Sequence, residues 1–334
     1  TCRLMEVIQS NGSAFEQVEY VQMDNAPGYE LVVGRQLSDQ VLRSVSVYSF
    51  SSGSAEQLMM VGYSKFITCD LNDDGCSELM VILPGESETG TGSAVLYRMQ
   101  DGNIERSVEV NVSEDATHIR RITVGRLLGG TPAVFVASAV NNSAIVTDVF
   151  AWRNDRFSNI SYSRDSDTSV QTLRNYYVYA EDIDGDGVME LPSLITMKRV
   201  FPEQEGKQKF LIRWFAMDLE GREMDKYFTF HNYLGGWYMQ LASSWAPRVS
   251  VDQDGGRYTF YVWDEDYRQA LDVFSIYVLT GGSREEDATV DGRFAFYRAE
   301  GVVYAAKLEA NAAEFGIKVG GQAVLGRQGR ESTP

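Results

Sequence analysis

The chain comprises 334 residues with a formal net charge of −17, 44% hydrophobic and 12% aromatic residues, two histidines and three cysteines. Its length accommodates one large domain or two smaller ones, and its acidity argues against a nucleic-acid partner, because little cationic surface is left to release counterions from phosphate. No apolar run approaches the length of a membrane helix, and so few histidines and cysteines argue against a zinc site.

Long helical periodicities are scarce. Short runs of Val, Ile, Tyr, Phe and Thr alternate with Gly, Asn, Asp and Ser, which predicts strands and tight turns. In chain order, residues 3–9 and 15–17 read as a hairpin. Strands follow at 18–21, 30–33, 45–50 and 57–61, then at 66–69, 78–83, 94–98 and 104–112. A third group covers 118–124, 133–140, 145–152 and 156–162, and a fourth 176–180, 190–196, 210–217 and 225–231. Each group holds a polar hairpin: Ser-Ser-Gly-Ser, Gln-Asp-Gly-Asn, Asn154-Asp155 and Glu220-Gly221. Beyond Gly236 the pattern loosens, with strands expected at 237–241, 248–251, 258–263, 271–279 and 294–308. Residues 307–315 suggest a short helix, and 320–334 have the composition of a frayed tail.

Two nine-residue stretches stand out against this background. Asp70-Leu-Asn72-Asp73-Asp74-Gly75-Cys76-Ser-Glu78 and Asp182-Ile-Asp184-Gly185-Asp186-Gly187-Val188-Met-Glu190 both read D-x-[DN]-x-D-G-x-x-E and both run into an apolar strand. Alternate positions 1, 3 and 5 supply oxygens, Gly at 6 permits a sharp turn, and a carboxylate closes the ring, which is how a short loop surrounds a hard cation such as Ca²⁺. The geometry is not that of an EF-hand, because the closing Glu comes at position 9 and a strand follows instead of a helix. The expected ligands of one Ca²⁺ are Asp182, Asp184, Asp186, the Val188 carbonyl and Glu190. Those of a second are Asp70, Asn72, Asp74, the Cys76 carbonyl and Glu78. Asn72 is neutral and Asp73 is a spare carboxylate, so the second site is expected to be the weaker one. Both belong to an affinity class on the order of 10⁻⁴–10⁻³ M.

Asp252-Gln-Asp254-Gly255-Gly256 resembles the start of such a loop but has Phe260 in the ninth place, which favours a hairpin turn. Cys69 and Cys76 bracket the first loop. A disulfide clamping it is one reading, and a buried thiol beside a carbonyl-donating residue is the other.

Weaker copies complete a repeat. Gln22–Glu30 and Gly125–Ala133 align with the two loops, and each leads into an apolar strand. The ninth positions Glu30, Glu78, Ala133 and Glu190 are spaced by 48, 55 and 57 residues. A period near fifty with about four strands per unit is the signature of a β-propeller blade. The expected fold is therefore all-β, a propeller of five to seven four-stranded antiparallel blades over residues 1–310. Repeats fall near 17–64, 65–115, 116–172, 173–232 and 233–310, residues 1–16 form the outer hairpin of a preceding or closing blade, and 311–334 are a tail.

Residues Asp70 to Leu83 and Asp182 to Ile195 resemble the calcium-binding repeats of FG-GAP (VCBS-like) propellers, with degenerate copies near Asp24 and Gly125. The chain as a whole is similar to uncharacterised lipoproteins of gut Clostridia, through residues 21–34, 69–83, 147–152, 179–190, 231–238 and 304–308. That resemblance implies an exported, lipid-anchored surface protein, with signal and anchor upstream of Thr1. It carries no established activity. Two repeats depart from the pattern: Gln22, Ala26 and Pro27 stand where acid, acid and glycine are needed, and Gly125, Leu127 and Gly129 offer no side-chain oxygen at all.

Three functions compete at this point. The first is a calcium-stiffened surface module that binds a protein or glycan. The second is a carbohydrate hydrolase or lyase, for which Asp264, Glu265 and Asp266 or Glu285, Glu286 and Asp287 are the available acids, although both clusters lie in polar turns where solvated charge is the ordinary explanation. The third is a structural scaffold of the cell envelope, with the tryptophans and tyrosines filling the spaces between blades. No Ser-His-Asp order, H-x-x-x-H or P-loop is present, and His118 and His231 alone supply acid–base catalysis poorly, so the non-enzymatic module leads and no catalytic residue is assigned.

Overall fold

A computed structural model describes residues 7, 14–37, 43–85, 91–114, 116–141, 143–202, 208–232, 235–244, 246–317 and 325–327. Cys2, most of the expected opening hairpin, and the tail beyond residue 317 apart from 325–327 lie outside these residues. The described chain is all-β, built from antiparallel sheets of four or five strands. It divides into two compact units, one of Thr1–Ser193 with Phe215–Met224 and one of Leu194–Trp214 with Asp225–Pro334.

The first unit holds three four-stranded sheets, each in simple sequence order. They are β1 (Ala14–Val21), β2 (Glu30–Gln36), β3 (Arg43–Ser49) and β4 (Glu56–Gly62); β5 (Lys65–Cys69), β6 (Glu78–Pro84), β7 (Thr91–Gln100) and β8 (Asn103–Arg106); and β9 (Ala116–Arg126), β10 (Pro132–Val140), β11 (Ala144–Arg153) and β12 (Arg156–Asn159). Side chains alternate faces along a strand, and here both faces are apolar. Leu79 and Val81 of β6 join Val32, Val45, Val47 and Phe66 in one cluster. Their neighbours Met80 and Ile82 join Val134, Val136 and Phe150 in the next. On β10, Ala133 and Phe135 turn the other way, toward Ala180, Leu191, Phe215 and Met217.

Successive sheets of this unit thus stack face to face, each buried side chain contributing about 1.5–3 kcal/mol. The approach is close enough at Gly34 that a Cβ would lie 2.5 Å from the Phe66 ring.

Residues 160–181 carry no strand, although one is expected at 176–180. They are held instead by a buried polar network. The Asp148 carboxylate is fully buried and accepts hydrogen bonds from the Ser113 N–H (3.0 Å) and hydroxyl (2.7 Å), the Asn159 amide (2.9 Å) and the Ser169 hydroxyl (2.6 Å). Four donors are what makes a buried carboxylate tolerable. Arg174 Nε donates to the Val178 carbonyl at 2.6 Å, taking an acceptor that a strand ladder would use, and only the isolated bridge between Glu181 and Glu190 remains of the expected pairing.

The fourth sheet comprises β13 (Glu190–Thr196), β14 (Phe210–Met217), β15 (Glu223–Asn232) and β16 (Trp237–Leu241); the fifth is β17 (Val249–Asp254), β18 (Arg257–Trp263), β19 (Ala270–Thr280), β20 (Phe294–Ala299) and β21 (Val302–Leu308), in the order β17-β18-β19-β21-β20. A last strand, β22 (Leu325–Arg327), lies beside β16. The second unit's core gathers Leu211, Phe228, Phe230, Trp237 and Met239 with Val249, Phe260, Val262, Phe274 and Ile276.

Strand 237–241 therefore pairs with β15 and belongs to the fourth sheet, between β15 and β22. The long strand expected at 294–308 is a hairpin, turned at Glu300-Gly301 with Gly301 at φ +74°. Asp254 pairs with Arg257 across Gly255-Gly256, so that motif is a hairpin turn as expected. Lys307 and Leu308 end β21, and the short helix is a 3₁₀ turn at Ala312–Phe315; the α-helix among the described residues is Arg284–Asp287. No helix among the described residues is long and apolar enough to cross a membrane.

Candidate metal loops

Each of the four loops joins a sheet's leading segment to the apolar strand after it. Position 4 is left-handed in Asn25, Asp73 and Gly185, at φ +59°, +58° and +74°. Position 6 is left-handed in Gly75, Gly130 and Gly187, at +88°, +85° and +85°, a conformation glycine adopts without steric cost. The two complete loops share both features, whereas the Gln22–Glu30 loop keeps of these only the left-handed fourth position, and the Gly125–Ala133 loop is left-handed at its fifth and sixth, Gly129 and Gly130.

In the two complete loops the acids bind backbone amides in matching fashion. Asp70 accepts the N–H groups of Asp74 (3.2 Å) and Gly75 (2.8 Å), and Asp182 those of Gly185 (2.8 Å), Asp186 (3.1 Å) and Gly187 (3.0 Å). Asn72 and Asp184 accept from position 5, at 3.0 and 3.1 Å, while Asp74 and Asp186 accept the Cys76 and Val188 N–H groups, each at 2.8 Å. The ninth-position glutamates are 5%, 4% and 0% exposed at Glu30, Glu78 and Glu190. Each accepts the N–H of the second loop residue: Met23 (3.1 Å), Leu71 (2.8 Å) and Ile183 (3.0 Å). The closing glutamate thus locks the loop mouth whether or not ligands accompany it, a role that spacing alone does not reveal.

Oxygens of Asp182, Asp184 and Glu190 all lie within 4.8 Å of one another, so this group could hold a metal ion. Among the described residues, no other three His, Cys, Asp or Glu side chains are drawn together that tightly. Asp186 stands outside that trio. At the first loop, burial pushes the Glu78 carboxyl up to about 7 against the lowering effect of the Leu71 N–H, and the Asp74 and Asp70 charges add to the rise. A crowded carboxylate that resists ionisation is one whose environment a divalent cation relieves.

The spare carboxylate Asp73 is gripped by both terminal nitrogens of Arg126, at 3.1 and 2.9 Å, which hold its carboxyl below the usual range. Arg126 opens the third, ligand-free loop, and its carbonyl accepts the Met189 N–H of the fourth at 2.9 Å. The Ser77 N–H donates to the Gln22 carbonyl at 2.7 Å. Within the first unit the four loops are therefore stitched together in sequence. Gly125 permits this, since a Cβ there would lie 2.0 Å from the Met189 side chain.

Cys69 and Cys76 are both free and buried, so no disulfide clamps the loop; burial pushes the Cys69 thiol up to about 12. The other acid clusters make local contacts. Asp264 accepts the Arg268 N–H at 2.7 Å, Arg268 pairs with Asp266 at 3.6 Å, Arg298 binds Glu285 at 3.2 Å, and the Ser283 hydroxyl donates to Asp287 at 2.7 Å.

No family model and no curated protein matches the chain. Among solved structures, a mannose phosphorylase from Leishmania mexicana aligns over 95% of this chain and 91% of its own, at 8% identity and a TM-score of 0.30. A GDP-Man-dependent mannosyltransferase from the same organism aligns over 90% and 88%, at 10% identity and a TM-score of 0.28.

Proposed function

We propose that the protein is a non-enzymatic, calcium-stabilised interaction module whose sheets are the blades of a β-propeller, displayed at the cell surface of the organism that exports it. The observation that carries this reading is the repeat of the loop. Four loops at corresponding places in the repeat are linked one to the next within the first unit, and two of them share one backbone path and carry the full D-x-[DN]-x-D-G-x-x-E pattern. Face-to-face packing of successive sheets supports the propeller, because blades bury both faces in this manner. Calcium follows from the donors, which are carboxylate, amide and carbonyl oxygens without sulfur or imidazole.

The residues that would hold it are Asp182, Asp184, Asp186, Glu190 and the Val188 carbonyl in the tighter site, with Asp70, Asn72, Asp74, Glu78 and the Cys76 carbonyl in the weaker. Each ligand set comes from one contiguous loop that its own chain largely closes, so the ion contributes stability and offers no open catalytic position. Calorimetric titration of the metal-free protein with Ca²⁺ tests this. Two binding events in the submillimolar to millimolar range are expected, and Asp186→Ala is expected to remove the tighter one. Absence of binding at millimolar Ca²⁺ refutes both sites.

A further inference from the structure

Asp73 is the fourth residue of the Asp70–Glu78 loop, and the fourth place of the Asp182–Glu190 loop is held by Gly185. The expected ligands of both loops come from places 1, 3, 5, 7 and 9, so Asp73 brings a charge to its loop without a place in the ligand set. That charge is answered from another element. Arg126, the last residue of β9, directs both terminal nitrogens at the Asp73 carboxylate, at 3.1 and 2.9 Å. One of them also donates to the Gly130 carbonyl of the Gly125–Ala133 loop. Two-pronged pairing of this kind fixes a guanidinium in orientation as well as in position, and Asp73 is itself set by its left-handed backbone, at φ +58°.

The guanidinium stands close enough to the ligand set to act on it. Asn72 and Asp74 flank Asp73, and consecutive Cα atoms are ~3.8 Å apart. An ion held by these neighbours would therefore lie within about one Debye length of the pair at 0.1 M salt, or ~10 Å. Asp73 holds Arg126 above its usual range, and the charge of Asp70, the first-place ligand, adds to that effect. Both members of the pair are about half exposed, at 49% and 51%, so the pair contributes little to folding. Its consequence is electrostatic: with Arg126 in place, Asp73 presents almost no net charge to an incoming cation.

We infer that Arg126 sets the calcium affinity of the Asp70–Glu78 loop: by neutralising Asp73 it withholds one carboxylate charge from the ion, a role that rests on the calcium reading of that loop. A mere pin on the loop would act with the opposite sign. Removing a pin loosens the ligand set and weakens binding, whereas removing the guanidinium uncovers Asp73 and strengthens the field that attracts the ion. A unit charge acting on a divalent ion across ~7 Å of water changes its affinity about fivefold at about 10 mM salt, and hardly at all at about 1 M.

Calorimetric titration with Ca²⁺ in the Asp186→Ala background, where the Asp70–Glu78 loop is the remaining complete one, tests this. At about 10 mM salt, Arg126→Gln should tighten binding about fivefold and Asp73→Asn, which leaves Arg126 in place, should weaken it by a similar factor. The double variant should return to within about twofold of the parent, and so should Arg126→Lys, which keeps the charge. Arg120→Gln makes the same charge change at an exposed residue of β9, roughly 20 Å along the strand, and should alter the affinity by less than about twofold. The shifts of both single variants should fall below about twofold at about 1 M salt. Weaker binding in Arg126→Gln, an affinity indifferent to both single variants, or an equal gain in Arg120→Gln would overturn the role of Arg126 while leaving calcium binding intact. No binding by the parent or any variant at millimolar Ca²⁺ would overturn the calcium reading of this loop, and the role of Arg126 with it.

Discussion

His231 illustrates how one half-buried side chain makes the molecule sensitive to pH. Its Nε2 lies 2.9 Å from the Thr229 hydroxyl and its ring stacks on Tyr238 at 5.1 Å, while burial lowers its pKa from 6.5 to about 4. Above pH 6.5 both folded and unfolded chains hold the ring neutral and nothing is lost. As pH falls below 6.5 the unfolded chain takes up a proton that the folded chain refuses, so stability drains away down to about pH 4. Urea unfolding at pH 7 and pH 4.5 should show a wild-type loss about 2 kcal/mol larger than that of His231→Gln; equal losses would mean that the ring is protonated in the folded state. At this scale the grouping of Asp182, Asp184 and Glu190 was legible in the sequence because D-x-[DN]-x-D-G is a local pattern read within nine residues. The Arg126 grip on Asp73 was not, since 53 residues separate the partners. The amide-binding role of the closing glutamate was hidden for another reason, as a metal ligand and a loop lock have the same spacing.

The loop elements separate two functions that one motif combines. The Gln22–Glu30 loop keeps the left-handed Asn25 and the buried Glu30, yet has the neutral amide of Gln22 at its first position and no side-chain oxygen at its fifth, Ala26. Replacing Glu30 by Ala strands the buried Met23 N–H and should cost about 1–3 kcal/mol in denaturant unfolding, by the same amount with calcium and with chelator. A calcium-dependent loss would show that this loop also holds an ion. Most strands of the first three sheets were legible because their boundaries coincide with Gly, Asn and Asp turns and their alternation is regular, but the strands expected at 104–112 and 156–162 stop at Arg106 and Asn159. Three features went unread. The two-residue turn at Glu300-Gly301 hid a hairpin inside one apolar stretch. Residues 176–180 look like a strand, but their Val178 carbonyl is taken by Arg174. Strand 237–241 has the same alternation whichever sheet it joins, so only its pairing with β15 decides its place.

At the scale of the whole molecule, the proposed module would use metal where the loop oxygens survive and packing where they do not. In the third loop, which lacks metal oxygens, Leu127 is fully buried against Ala180 and Phe215, and the Leu128 N–H donates to the Met217 carbonyl at 2.9 Å. Each bound ion, at a tenfold excess over its dissociation constant, should add about 1.4 kcal/mol to the folded state. Thermal unfolding of the wild type and of Asp186→Ala, each in millimolar calcium and in chelator, puts this to the most direct test. The account predicts that chelation lowers the wild-type melting temperature by several degrees and that Asp186→Ala loses much of that dependence. Coincident curves with and without calcium, while calorimetry shows the ions bound, would contradict it and move the role of the metal from the fold to the ligand-facing surface.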